Sequence, residues 1–131
     1  MSTRATIHFY NAGDKKPSAI IYRHSDGYPD KLGVGQDLQQ FVHDLKTNVE
    51  DHRLNDATML AARWVVRDAA GMVQYSQGKP HPLNFLSVRV VMDDPGDIEY
   101  RYQVRCGDTG QPVITCETPR GKAVEIPEWK P

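Results

Sequence analysis

Hydrophobic and polar positions divide this chain into three zones. In the first, Thr6 and His8 alternate with Ile7 and Phe9, the pattern of a half-buried strand. Asn11-Ala12-Gly13-Asp14 follows with turn chemistry. Ala19 to His24 is a second strand, entered behind Pro17, so the pair predicts an antiparallel hairpin with a longer loop. Asp26-Gly27-Tyr28-Pro29 ends it: Gly27 is the residue expected at positive φ, and Pro29 biases Tyr28 away from the helical region.

The second zone is helical. Leu38, Phe41, Val42, Leu45 and Val49 recur at three- and four-residue spacing and predict a helix from about Gly35 to Glu50, with Gln39, Gln40, Asp44 and Lys46 off its apolar face. Gly33-Val34-Gly35 reads as a flexible lead into it, since the third glycine and the Lys-Ser/Thr ending of a phosphate loop are missing. A second helix starts at Leu54-Asn55-Asp56, where Asn55 or Asp56 is the expected N-cap. Its inward stripe is Ala57, Leu60, Ala61, Trp64 and Val65, and Gly71 is its expected end. Met72 to Tyr75 reads as a short strand, and Gly78, Pro80 and Pro82 mark an irregular crossing.

From Phe85 the period becomes two. Leu86, Val88, Val90 and Met92 alternate with Ser87, Arg89 and Val91 up to a turn at Asp93 to Asp97. Ile98, Tyr100, Tyr102, Val104 and Cys106 then alternate with Glu99, Arg101, Gln103 and Arg105. After Gly107 to Pro112 comes a last strand, Val113 to Thr118. A three-residue loop at Thr109-Gly110-Gln111 pairs Cys106 with Ile114 and Val104 with Cys116; a one-residue slip would throw Ile114 and Cys116 to solvent. The order ββ-αα-βββ predicts an α+β fold, an antiparallel sheet of about five strands with both helices on one face. Residues 1–131 fit a single domain, with 120–131 expected to add an edge strand at Ala123 to Ile126 and then fray as a flexible tail.

Composition narrows the function classes. At 131 residues, 39% hydrophobic and 25% charged, the chain buries a core without metal or disulfide staples. Its formal net charge of −1 supplies no global field toward nucleic acid or anionic membrane. Apolar runs fall far short of the roughly 20 residues of a membrane span. Met1-Ser2-Thr3-Arg4 lacks a signal-like apolar core, so a cytoplasmic protein is expected. Cys106 and Cys116 have no CxxC partner and are expected to be reduced, buried and diagonal to each other rather than disulfide-bonded.

The densest chemistry lies where the second strand ends, in Tyr22-Arg23-His24-Ser25-Asp26-Gly27-Tyr28. Strand parity sends Tyr22 and His24 one way and Arg23 the other. Asp26 is placed to orient the His24 ring as a general base is held, and Tyr and Arg suit a planar or phosphorylated ligand. Tyr22, Arg23, His24, Asp26 and Tyr28 are therefore the candidate binding residues, and no residue is assigned a catalytic role. The plainer alternative makes Asp26-Gly27 a turn only, with Tyr22 packed on the first helix and Arg23 solvated. His8, His24, His43, His52 and His81 lack ligand spacing, so neither metal nor cofactor is expected. Ser25 lacks the context of a nucleophile elbow. Arg89, Arg101 and Arg105, with Gln103 between them, line the face opposite the helices and form a second candidate surface, for nucleic acid. Their neighbours Tyr100 and Tyr102 fall on the other face and Glu99 and Glu117 dilute the charge, so nucleic acid is the weaker partner.

Thr3-Arg4-Ala5 and Tyr22 to Pro29 resemble a group of small proteins of bacteria and their phages and prophages, in which a similar Tyr-x-His-x-Asp-Gly-Tyr-Pro segment ends an early strand. The resemblance covers about the first third of the chain. It implies no activity and carries over no catalytic residue; it implies a mobile-element setting, in which small accessory proteins bind host factors. The expectation is a non-enzymatic protein that binds a host protein or defence complex, most specifically an anti-CRISPR-like inhibitor of a defence nuclease. The alternatives are a small enzyme or sensor taking a nucleotide-like ligand at Tyr22 to Tyr28, and a weak nucleic-acid binder.

Overall fold

The computed structural model describes residues 3–30, 33–48, 54–75, 88–108 and 111–131. The chain forms β1 (Ala5–Tyr10), β2 (Ala19–Arg23), α1 (Val34–Asn48), α2 (Ala57–Tyr75), β3 (Val88–Val91), β4 (Tyr100–Arg105), β5 (Val113–Glu117) and β6 (Ala123–Val124). The fold is α+β, as expected, with both helices on one face of one sheet. Among the described residues that sheet has six strands, the expected edge strand being the sixth, in the order β3-β2-β1-β4-β5-β6, and it is mixed rather than antiparallel: β1 pairs antiparallel with β2 and parallel with β4.

Local patterning explains the elements. The β1–β2 hairpin is closed by the Ser18 N–H donating to the Phe9 carbonyl (2.8 Å), and Asn11 at its tip accepts from the Ala57 N–H (2.9 Å) at the start of α2. Asp56 is the N-cap of α2, accepting from the Met59 N–H at 3.2 Å. Leu38, Phe41, Val42 and Leu45 of α1 and Ala57, Leu60, Ala61 and Trp64 of α2 are all buried against Ala5, Ile7, Phe9, Ile21, Tyr102, Val104 and Cys116 of the sheet. The predicted stripes are thus the core.

Several expectations are corrected. α2 runs through Gly71 to Tyr75, so neither the glycine stop nor the Met72 to Tyr75 strand exists. One helical glycine costs only about 1 kcal/mol relative to alanine, less than a nineteen-residue packed helix can absorb. The three C-terminal strands do not lie side by side in sequence order. β3 pairs with β2 at one edge, and β4 lies on the far side of β1. Residues 92–99 must therefore pass over β2 and β1, about 14 Å at the usual strand spacing, and eight residues reach roughly 26 Å. Their passage covers the face opposite the helices, so Thr6 and His8 are buried and β1 is buried on both sides, not half-buried.

The β4–β5 register also differs. Val104 opposes Ile114 and Tyr102 opposes Cys116, two residues from the expected pairing, and the Cys106 N–H instead bonds the Tyr10 carbonyl (2.9 Å). A two-residue slip preserves which face each side chain takes, so burial alone does not choose between the two. Cys106 and Cys116 are free and buried. Beyond the short β6, the segment expected to fray lies along α1: the Trp129 N–H donates to Gln39 Oε1 (2.6 Å), Gln36 Nε2 donates to the Pro127 carbonyl (3.2 Å), and the Trp129 ring meets His43 at 5.1 Å. Val49, Gly78, Pro80, Pro82, Phe85 to Ser87 and the Thr109-Gly110 turn lie outside the described residues.

Candidate functional site

Strand register fixes which candidate residues can meet. On the face opposite the helices, Arg89, Tyr22, Thr6, Arg101 and Glu117 form one row across five strands. The next row is Val91, Ile20, His8, Gln103 and Thr115, and a third holds Tyr10, Arg105 and Val113. The three arginines share this face, as parity requires, but β2 and β1 separate Arg89 from the other two.

The middle of the face is filled by its own polar network. Asp94, in the crossing segment, accepts from Arg101 Nε at 2.5 Å and stands 3.4 Å from His8 Nε2. Arg101 also reaches Glu117 at 3.3 Å, Gln103 donates to Glu117, and Thr115 donates to Gln103. His8 Nε2 lies 3.2 Å from Thr6 Oγ1. Burial holds the His8 imidazole below its ordinary range, outweighing the upward pull of Asp94. Burial also pushes Asp94 upward, but the Gly96 N–H and Arg101 outweigh it and leave the carboxyl low. Arg101 is therefore charge-compensated inside the protein.

Rings flank this centre. The Arg105 guanidinium lies 3.9 Å from the centroid of Tyr10, and that of Arg89 lies 5.8 Å from Tyr22. Aromatic residues thus do stand on the arginine face, contrary to the expectation drawn from Tyr100 and Tyr102: they come from β1 and β2. The signal was available, because Tyr10 and Tyr22 pair with positions on that face once the hairpin and its neighbours are in register.

The strand-end cluster is split between two environments. Tyr22 and His24 stand together on the open side, with the Tyr22 hydroxyl 2.8 Å from His24 Nδ1. His24 and Arg89 are exposed and Tyr22 is half-buried. Arg23 points the other way and is buried under α2, donating from Nη1 to Asp68 Oδ1 at 2.6 Å. Neither the solvated Arg23 nor the helix-packed Tyr22 of the plainer alternative is found. Asp26 does not orient His24: it lies 4.0 Å from Arg23 Nη2 and accepts from the Tyr28 hydroxyl at 3.4 Å. Asp26 rather than Gly27 takes positive φ, at 56°. Gly27 is needed for another reason. A Cβ there would come within 2.7 Å of the Ala5 Cβ, and the Gly27 carbonyl accepts from the buried Tyr102 hydroxyl at 2.6 Å.

Sequence reasoning missed His8, Asp94 and Asp68. Asp68 had a visible signal: it continues the α2 stripe four residues beyond Trp64, and an acid on an apolar stripe calls for a buried cation. His8 and Asp94 meet only through the crossing segment. Burial raises both thiols, Cys116 to about 11, so both stay protonated and poorly nucleophilic. His52 and His81 lie outside the described residues, and no described helix is long and apolar enough to cross a membrane. No family model, curated protein or solved structure matches the chain.

Proposed function

We propose that this is a non-enzymatic binding protein that recognises a partner protein through Tyr22, His24 and Arg89. The observation that carries this reading is the convergence of these three side chains at the exposed end of the row: Tyr22 bonded to His24, Arg89 over the Tyr22 ring. Tyr and Arg dominate binding hot spots, and here the sheet holds them. Recognition fits this geometry better than acid–base chemistry, because Asp26 is turned to Arg23 and Tyr28 and leaves His24 to Tyr22. The phage-like strand-end segment supports a partner from the host cytoplasm, with a defence nuclease complex as the most specific candidate. Arg23, held inside by Asp68, supports the site from behind.

The test combines capture from host lysate with titration against the purified partner. The parent should retain a stoichiometric protein, and inhibition of a nuclease complex would define the class. Tyr22→Ala with Arg89→Ala should weaken binding by more than about 2 kcal/mol, roughly thirtyfold, with the melting temperature near that of the parent. A folded double variant that binds at full strength refutes the site. A co-purified nucleotide-like molecule in place of a protein would refute the partner class.

A further inference from the structure

We infer that the β3 edge is a self-association surface, on which a second copy of this chain pairs antiparallel and joins the two sheets into one. The sheet ends in two unlike edges. β6 has two residues, lies between Gly121 at positive φ and Pro127, and hands the chain back to α1. Such an edge is blunted against further pairing. β3 is Val-Arg-Val-Val, with one charge, no proline and no glycine, and among the described residues it has a strand partner on one side only. The helices do not cover it: Val90 pairs with the buried Ile21, on the helix side, yet is 75% exposed, and Met92 just beyond is 90% exposed.

Symmetry selects the occupant and the register. In a two-fold antiparallel pair, directly opposite side chains share a face, so the sum of opposing residue numbers must be even, and two even sums pair three of the four β3 residues with the partner's β3. One such register sets Arg89 against the partner's Arg89, a like-charge pair that opposes association. The other sets Val90 against the partner's Val90, with Val88 against the partner's Met92 and Arg89 against the partner's Val91. This second register buries the two most exposed apolar side chains of the region on one side and keeps the arginines apart. Of the two registers that pair most of β3, the edge is thus self-complementary in one. The dimer would also carry Tyr22 and Arg89 of both copies on one continuous face, although the inference stands without the recognition role of those residues.

Sedimentation velocity over a dilution series up to about 100 μM, a range suited to an interface below the standard size, tests association. The parent should show a monomer–dimer equilibrium. Val90→Lys, which places two ammonium groups opposite each other, should raise the dissociation constant at least tenfold while leaving the circular dichroism spectrum unchanged. Val90→Cys tests register, because opposite Cα atoms lie within disulfide range. Mild oxidation should crosslink it efficiently, and Arg89→Cys should crosslink far less. A parent that stays monomeric throughout, a dimer indifferent to Val90→Lys, or Arg89→Cys crosslinking as well as Val90→Cys would each overturn the inference. So would β3 occupied by a different protein in place of the second copy.

Discussion

Burying a guanidinium under a helix is costly unless its charge and its donors are met, and at Arg23 they are met only in part. Nη1 has Asp68, but Arg23 Nε and Asp68 Oδ2 have no partner among the described residues. Burial raises the Asp68 carboxyl to about 6, outweighing the downward pull of Arg23. Its folded value thus exceeds its unfolded one, so this group's stabilisation is complete below pH 3.8 and is lost as pH rises through about 6. Arg23→Ala strands the carboxyl and should cost roughly 3–5 kcal/mol in urea unfolding near neutral pH. Arg23→Met with Asp68→Leu removes both charges and should be near neutral or more stable than the parent. If Arg23→Ala unfolds at the parent's urea concentration, the pair contributes nothing. The inward direction of Arg23 was legible from strand parity alone; its partner, 45 residues away, required knowing which helix covers β2.

At the scale of elements, hydrophobic period identified strands and helices and their inner faces, but not which strands pair. The alternation of β4 is the same whether its neighbour is β3, as a meander would have it, or β1, as found. The β4–β5 register was recovered only to within two residues because such a slip leaves every side chain on its face. The burial of His8 follows from the same missing information, since it depends on residues 92–99 crossing over β1. The crossing segment is held by Asp94 against His8 and Arg101, and this gives the fold an acid-sensitive joint. Because burial lowers the His8 value, the unfolded chain takes up its proton first. Stability from this group is present above pH 6.5 and is lost as pH falls below it. Asp94, Arg101 and Glu117 are the charged groups acting on the ring. His8→Gln keeps a hydrogen-bonding side chain without that titration. Between pH 7 and pH 5 the parent should lose stability relative to His8→Gln; Asp68 slopes the opposite way but is common to both proteins and cancels in the difference. Parallel curves would show that His8 titrates normally.

For the whole molecule, the central strand is also the first in sequence. β1 is complete only when β4 arrives, and the pairing of Ala5 with Tyr100 closes a separation of 95 residues. Closing so long a loop must precede the reward of pairing, which slows folding relative to a fold built from local hairpins. The same arrangement grades stability across the sheet. Every residue of β1 is buried, it is paired on both sides, the helices cover one face and the 92–99 segment covers the other. Among the described residues, β3 and β6 are paired on one side only and are short. Native-state hydrogen exchange should therefore separate them, provided the protein is dilute enough to be monomeric. Amides of β1 and of β4 where it faces β1 should exchange only through global unfolding, with the full denaturant dependence of the equilibrium transition. The β6 amides and those of β3 should exchange through local openings nearly insensitive to denaturant. The site inherits this gradient. Tyr22 belongs to β2, anchored on β1, whereas Arg89 rides on the edge strand, so the two halves of the proposed recognition pair stand on strands of unequal support. If β1 exchanges as fast as β3, the sheet does not have this centre, and the crossing segment does not lock it.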